Sequence, residues 1–273
     1  IVGTAGTAPT SLLTYLNAQA YLDAEGAPRD GRRSVIIEPF TGAAIVDSLK
    51  GLFMPQSAIS EQYRKGMMGR DSAGLDWYMD QNVAVQSFAS FVNSGTVDTT
   101  SSSFGISTGW ASSSTITKSG TFTPNVGDTF TIANVYAVNP QNRQSYGKLR
   151  NFVVTAISGS NVTVSPAIIT GGQFQNVVVT STSATAALTP FNATGASSPQ
   201  NILFHKNAFT LATADLELPD GVHFAGRASD KELGLSIRVV RQYTINNDSI
   251  PTRLDVLYGW APLYPELSCR VAS

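Results

Sequence analysis

The sequence predicts an α+β fold interrupted by an inserted antiparallel β-barrel, and three observations carry that prediction. The first is a change of composition. Between Gly95 and Ser198 about a third of the residues are Ser or Thr, and the charged ones are Asp98, Lys118, Asp128, Arg143, Lys148 and Arg150. The second is spacing. In this stretch the runs Thr129–Val138, Leu149–Ile157, Val162–Ile169, Asn176–Ser181 and Thr185–Thr189 are punctuated by Gly159, Gly171-Gly172 and Pro190. Short strands at ~8–12-residue intervals indicate a small sandwich or barrel. The third lies near the C-terminus, where Leu235–Ile245 and Ile250–Trp260 alternate with period two around Asn246-Asn247-Asp248. That pattern predicts an antiparallel pair joined by an Asn/Asp turn.

The flanking zones mix helix and strand. Thr10 or Ser11 caps a first helix with Leu12, Leu13, Leu16 and Ala20 on one side, and Gly26 and Pro28 stop it. Arg29-Asp-Gly-Arg-Arg33 is a polar turn into an apolar strand, Ser34–Glu38, which Pro39 ends. Thr41 caps a second helix carrying Ile45, Val46 and Leu49, and a third, short helix runs from Ser57 to Lys65. Leu75–Gln81 alternates as a strand does. Within the Ser/Thr-rich zone, Phe104, Ile106, Trp110 and Ile116 are interleaved with the polar runs, which argues for polar-faced strands or an ordered loop rather than a linker. After Pro199 the mixed character returns with Asn201–Phe209 and Leu216-Glu-Leu-Pro219. An all-β block between two mixed blocks has the form of an insertion, the outer parts closing into one domain across it.

Composition narrows the function. At 273 residues the chain can bury a sizeable core. Its formal charge is −1, with no basic stripe of the kind that grips duplex nucleic acid. Charged residues make up 14%, against roughly a quarter in an ordinary soluble protein, so much of the surface is expected to lie against partners. The single Cys269 excludes an internal disulfide and reads as a small apolar residue of the last strand. No run approaches the ~18 apolar residues of a membrane span. Gly3–Pro9 has neither the basic start nor the apolar run of a signal peptide, and a chain starting at Ile1 reads as a fragment or a processed protein.

No catalytic set emerges. Gly105-Ile-Ser107-Thr-Gly109 matches the nucleophile-elbow pattern, but Trp110 and a Ser/Thr run follow it where a helix is required. His205 and His223 stand at no metal-ligand spacing from each other or from Cys269. Asp215 and Glu217 share a face beside Leu216 and Leu218, as in a solvated strand. The expectation is therefore no enzyme, no cofactor and no metal site. Arg29, Arg32 and Arg33 around Asp30 form the one basic cluster, readable as a solvated turn or as a surface meeting acids of a neighbouring subunit. The hairpin through Val135–Leu149, with Pro140, Arg143 and Lys148 near its turn, is expected to reach a neighbour. Arg29, Arg32, Arg33, Arg143, Lys148 and Arg150 are thus the candidate subunit-interface residues.

A resemblance sharpens this reading. Pro28–Ser34, Gly51-Leu-Phe53, Ile59–Gly66, Asp76-Trp-Tyr78 and Gln81-Asn-Val83 occur in this order, followed by Gly127–Ile132, Val135–Pro140, Ser165–Ile168, Asn201–Phe209 and Arg238–Cys269. In that order they resemble the major capsid (coat) proteins of tailed bacteriophages, in the podovirus branch that carries an inserted β-barrel. The resemblance implies the coat fold shared by tailed phages and herpesviruses. Residues 1–94 are then the first part of an axial domain, 95–198 the insertion, 199–234 the second axial part, and 235–273 strands returning to a peripheral domain. The N-terminal arm, extended loop and most of the spine helix are expected before Ile1. The implied role is a structural subunit forming pentamers and hexamers of an icosahedral head around double-stranded DNA, touched weakly and non-specifically. Scaffolding and portal proteins are the implied partners, the virion is the implied location, and assembly is expected in the bacterial cytoplasm. An alternative reading has the Ser/Thr-rich β-domain bind glycan in a tail or adhesin protein, with Trp110 and Tyr136 as stacking platforms.

Overall fold

The computed structural model describes residues 1–48, 72–89, 95–100, 104–107, 109–120, 122–192, 195–230, 232 and 234–273. In chain order the elements begin with β1 (Val2–Gly3), α1 (Leu13–Ala24), β2 (Arg33–Ile37), α2 (Pro39–Ser48), β3 (Asp76–Met79) and β4 (Val85–Ser87). Next come β5 (Thr96–Val97), β6 (Ser114–Ser119), β7 (Thr129–Val138), β8 (Ser145–Ser158), β9 (Asn161–Ser165), β10 (Val177–Val179) and β11 (Ala186–Pro190). The chain closes with β12 (Ser197–His205), β13 (Phe209–Ala214), β14 (Phe224–Asp230), β15 (Leu235–Arg241), β16 (Thr252–Asp255), β17 (Leu257–Pro262) and β18 (Ser268–Ala272). The described residues are mostly β, with α1 and α2 as their α-helices, so helix is scarcer than the α+β expectation held. The expected third helix, Ser57–Lys65, lies outside the described residues, as do Gly51–Phe53 and Ile59–Gly66.

The chain divides into two compact units, residues 1–206 with 266–273, and residues 207–265. In the first unit one sheet runs β1-β18-β12-β2-β3, and β4 joins β12 beyond the end of β2. Helix α1 packs on it through Tyr15, Ala18, Gln19 and Leu22. The sequence pointed to a different face: Leu13 and Leu16 are 60% and 40% exposed. The true face has the i, i+3, i+4, i+7 spacing of an amphipathic helix, but its third member is a glutamine, which disguises it. Tyr15 lies 4.9 Å from Trp77, centroid to centroid, over a core of Val35, Ile37, Leu203 and Val271. Cys269 is buried in the same core. The N-cap position falls on Leu12, which has no side-chain cap, rather than on Thr10 or Ser11; the Ser11 Oγ, one residue earlier, accepts from the Leu13 N–H at 3.1 Å. Helix α2 starts at Pro39 rather than at a Thr41 cap. A proline fits the first helical position because that N–H has no intrahelical partner. Thr41 lies inside the first turn and donates to the Glu38 carboxylate at 3.1 Å.

The Ser/Thr-rich zone closes on itself. Strands β7, β11, β5, β6, β9 and β8 follow one another by antiparallel pairing, and β8 returns to β7. Strand β10 extends the β11 edge of β7. The result is a six-stranded barrel, and alternation explains its filling: one side of each strand faces in and Ser/Thr cover the other. Phe104, Ile116, Phe122, Phe130, Ile132, Phe152, Val162 and Leu188 are buried together. Phe122 meets Phe130 edge-on at 5.3 Å. Phe104 and Ile116 are thus core, whereas Ile106 and Trp110 are 46% and 72% exposed. Strand β7 matches its expected bounds, while β8 begins at Ser145 instead of Leu149. The β7–β8 ladder shifts register around Asn134, whose φ of 66° suits an asparagine.

The second unit holds a two-stranded sheet, β13-β17, and a three-stranded one, β14-β15-β16. Here the expected single strand Ile250–Trp260 is two. Thr252–Asp255 pairs with β15, and Leu257–Pro262 pairs with β13. A period-two pattern does not change at such a crossing, so nothing local in the sequence marks it.

Candidate functional site

The basic cluster before β2 is organised by Asp23 at the end of α1. Asp23 Oδ1 accepts from Arg29 Nε at 3.1 Å and from Arg33 Nη2 at 2.7 Å, while Oδ2 accepts from Arg29 Nη2. The hydrogen bond from Arg29 holds the Asp23 carboxyl below the usual carboxylate range; partial burial opposes this and Arg33 reinforces it. Arg33 is 1% exposed, and it also donates to the carbonyls of Pro28 (3.0 Å) and Ala27 (2.7 Å). The structure therefore places Arg33 under the surface, while Arg29 and Arg32 remain outside. Arg32 is 3.8 Å from Asp30, which also meets His205 Nε2 at 3.1 Å. His205 is thus a buried residue of β12 paired with a carboxylate.

The β7–β8 hairpin turns through Asn139–Gln144. Asn139 N–H donates to the Gln144 carbonyl at 3.0 Å, and Asn139 Oδ1 accepts from Gln141 N–H at 2.8 Å. Arg143 occupies the turn at φ 57°. Arg143 and Lys148 are exposed and make no ion pair with a described residue. Arg150 has a different fate. It is 8% exposed and pairs with Glu25, just beyond α1. This contact ties the barrel to the helix, and burial, with Glu25 nearby, pushes the Tyr146 hydroxyl up to about 12. Sequence reasoning missed a second tie. Buried Asp128 accepts from Ala89 N–H (3.2 Å), Asn125 N–H (2.8 Å) and Gln86 Nε2 (3.3 Å). Beside it Arg270 of β18, its guanidinium pKa lowered by burial, donates to the Gly127 carbonyl at 2.9 Å.

The serine of the elbow-like motif is occupied by its own turn. Ser107 Oγ donates to the Gly109 carbonyl at 2.9 Å, and among the described residues Gly109–Gly120 form no helix. Asp215 and Glu217 lie past the end of β13, both exposed, with Asp215 3.4 Å from Arg227.

Residues 207–265 expose many bulky apolar side chains. Leu211, Ile245, Leu254, Tyr258 and Trp260 are 63%, 81%, 70%, 62% and 77% exposed. Among the described residues of this unit, Ala208 and Ser236 are the buried ones. On the three-stranded sheet Arg238 and Asp255 face each other in register and bond through Nε (3.1 Å) and Nη2 (2.6 Å). Arg253 adds a bond to Asp255 at 3.0 Å.

The family model described as "P22 coat protein - gene protein 5" matches residues 13–269. The chain belongs to that family. It is a tailed-phage major capsid protein, with a structural role in the virion. Among solved structures, the CUS-3 coat protein I-domain matches at 27% identity, over 37% of this chain and 97% of that one, with a TM-score of 0.27. No curated protein matches. Among the described residues of this capsid protein no helix is long and apolar enough to cross a membrane.

Proposed function

We propose that this coat subunit forms pentamers and hexamers that close into an icosahedral head around double-stranded DNA, assembled in the bacterial cytoplasm with scaffolding and portal proteins. One observation carries the reading. Residues 207–265 expose bulky apolar side chains on two small sheets and bury almost nothing of their own. Exposed apolar surface of this extent marks an interaction site, and in a shell of identical copies the covering surface belongs to another copy. In the proposed layout residues 1–94 and 199–234 are axial, 95–198 are inserted, and 235–273 return to the periphery, apart from β18, which pairs with β1 and β12 in the axial sheet. The β7–β8 turn reaches a neighbour, where Arg143 meets an acid. DNA contacts are weak and non-specific, in keeping with a formal charge of −1. Electron microscopy of the full-length protein expressed with its scaffolding partner tests this. Closed shells or capsomers are expected; monomers alone overturn it.

A further inference from the structure

Beneath the α1–β2 turn lies a cavity of about 290 Å³ lined by Gln19, Arg29, Gly31, Arg33, Ala73 and Gly74. Two guanidinium groups face it and share one carboxylate, Asp23, so the cluster carries one excess positive charge. The neighbouring Asp30 does not balance it, being engaged by Arg32 and His205. Arg33 is the telling member. Its Nε and Nη2 have protein acceptors, while Nη1 is buried without a protein partner. A buried donor of a charged group is costly to leave unpaired. Arginine donors set side by side match the two oxygens of a carboxylate.

We infer that this cavity is a receptor for a carboxylate side chain of a second copy of the chain, received by Arg33 Nη1 at its base and Arg29 at its rim. The inference rests on the reading of the protein as a shell-forming subunit. Charge complementarity names the occupant. Every copy exposes Glu217, Asp220 and Glu232, none of which makes an ion pair with a described residue. One excess positive charge matches one carboxylate. A duplex backbone, by contrast, is met by a row of basic residues that this chain lacks.

Ala73 gives the test. It lines the cavity and has φ 59°, a conformation that Asp and Asn tolerate better than other side chains with a Cβ. In the full-length protein expressed with its scaffolding partner, Ala73→Asp fills the cavity with the chain's own carboxylate. Its shell yield is expected to fall roughly tenfold, the effect of about 1.4 kcal/mol, with a monomer melting temperature no lower than the unaltered protein's. Ala73→Asn, the same shape without the charge, is expected to retain clearly more shells than Ala73→Asp. Arg29→Ala, at an exposed position, removes the charge excess and should likewise reduce assembly. Equal yields for Ala73→Asp and the unaltered protein overturn the inference. So do normal Ala73→Asp shells that package less DNA, which would assign the cavity to phosphate. Absence of shells from the unaltered protein defeats the shell reading itself.

Discussion

The barrel and the 207–265 unit are built from similar strands with opposite consequences. In the barrel, alternation delivers Phe122, Phe130, Phe152 and their neighbours to one closed interior. In the 207–265 unit the same alternation delivers Leu254, Tyr258 and Trp260 to surfaces that stay exposed. The difference is closure. A sheet that returns to its first strand has an inside, whereas two- and three-stranded sheets have two faces and need a covering layer to bury either. One region has a buried interior of its own; the other leaves its bulky apolar side chains exposed.

The sharpest way to break this comparison is to separate the regions. Residues 95–198 expressed alone are expected to give dispersed amide signals and a cooperative melt, and residues 207–265 alone a random-coil spectrum. A coil from the first or a cooperative fold from the second removes the contrast. At single residues, Phe130→Ala should cost about 3–5 kcal/mol in chemical denaturation. Trp260→Ala should stay within about 0.5 kcal/mol for the monomer while reducing shell yield.

The tie between barrel and helix comes next. Arg150→Ala leaves the part-buried Glu25 carboxylate unpaired, and is expected to cost about 2 kcal/mol. The double change Arg150→Met with Glu25→Leu should recover most of that, because it removes both charges together. A single change without effect would mean that the barrel does not depend on this contact.

A smaller effect is expected from acid. The folded state holds the Asp23 carboxyl below its ordinary 3.8. Its contribution is therefore complete above that value and is lost as pH falls through the lower, folded value. Asp23→Asn should make stability less pH-dependent below about pH 4, read from melts across an acid series. Least affected in the monomer is the hairpin turn: Arg143→Ala should leave its melting temperature unchanged while lowering assembly yield. A destabilised monomer would return Arg143 to the barrel's own structure.

Much of this protein was legible in its residues, for local reasons. Strand β7, the barrel's Ser/Thr exterior and the buried Cys269 follow from alternation and composition within a few positions. The coat-protein identity was legible too, in ordered segments spread along the chain. Tertiary structure decided the rest. It chose the Tyr15–Leu22 face of α1 over that of Leu13 and Leu16, because Trp77 waits there. It split 250–260 between two sheets, and it drew Arg33 and Arg150 under the surface while leaving Arg143 and Lys148 outside. An arginine's sequence neighbourhood does not reveal whether a carboxylate will meet it, and the partner of Arg150 lies 125 residues away. Such pairings exist only once the chain has closed, so the fold alone sets which charges remain for other copies.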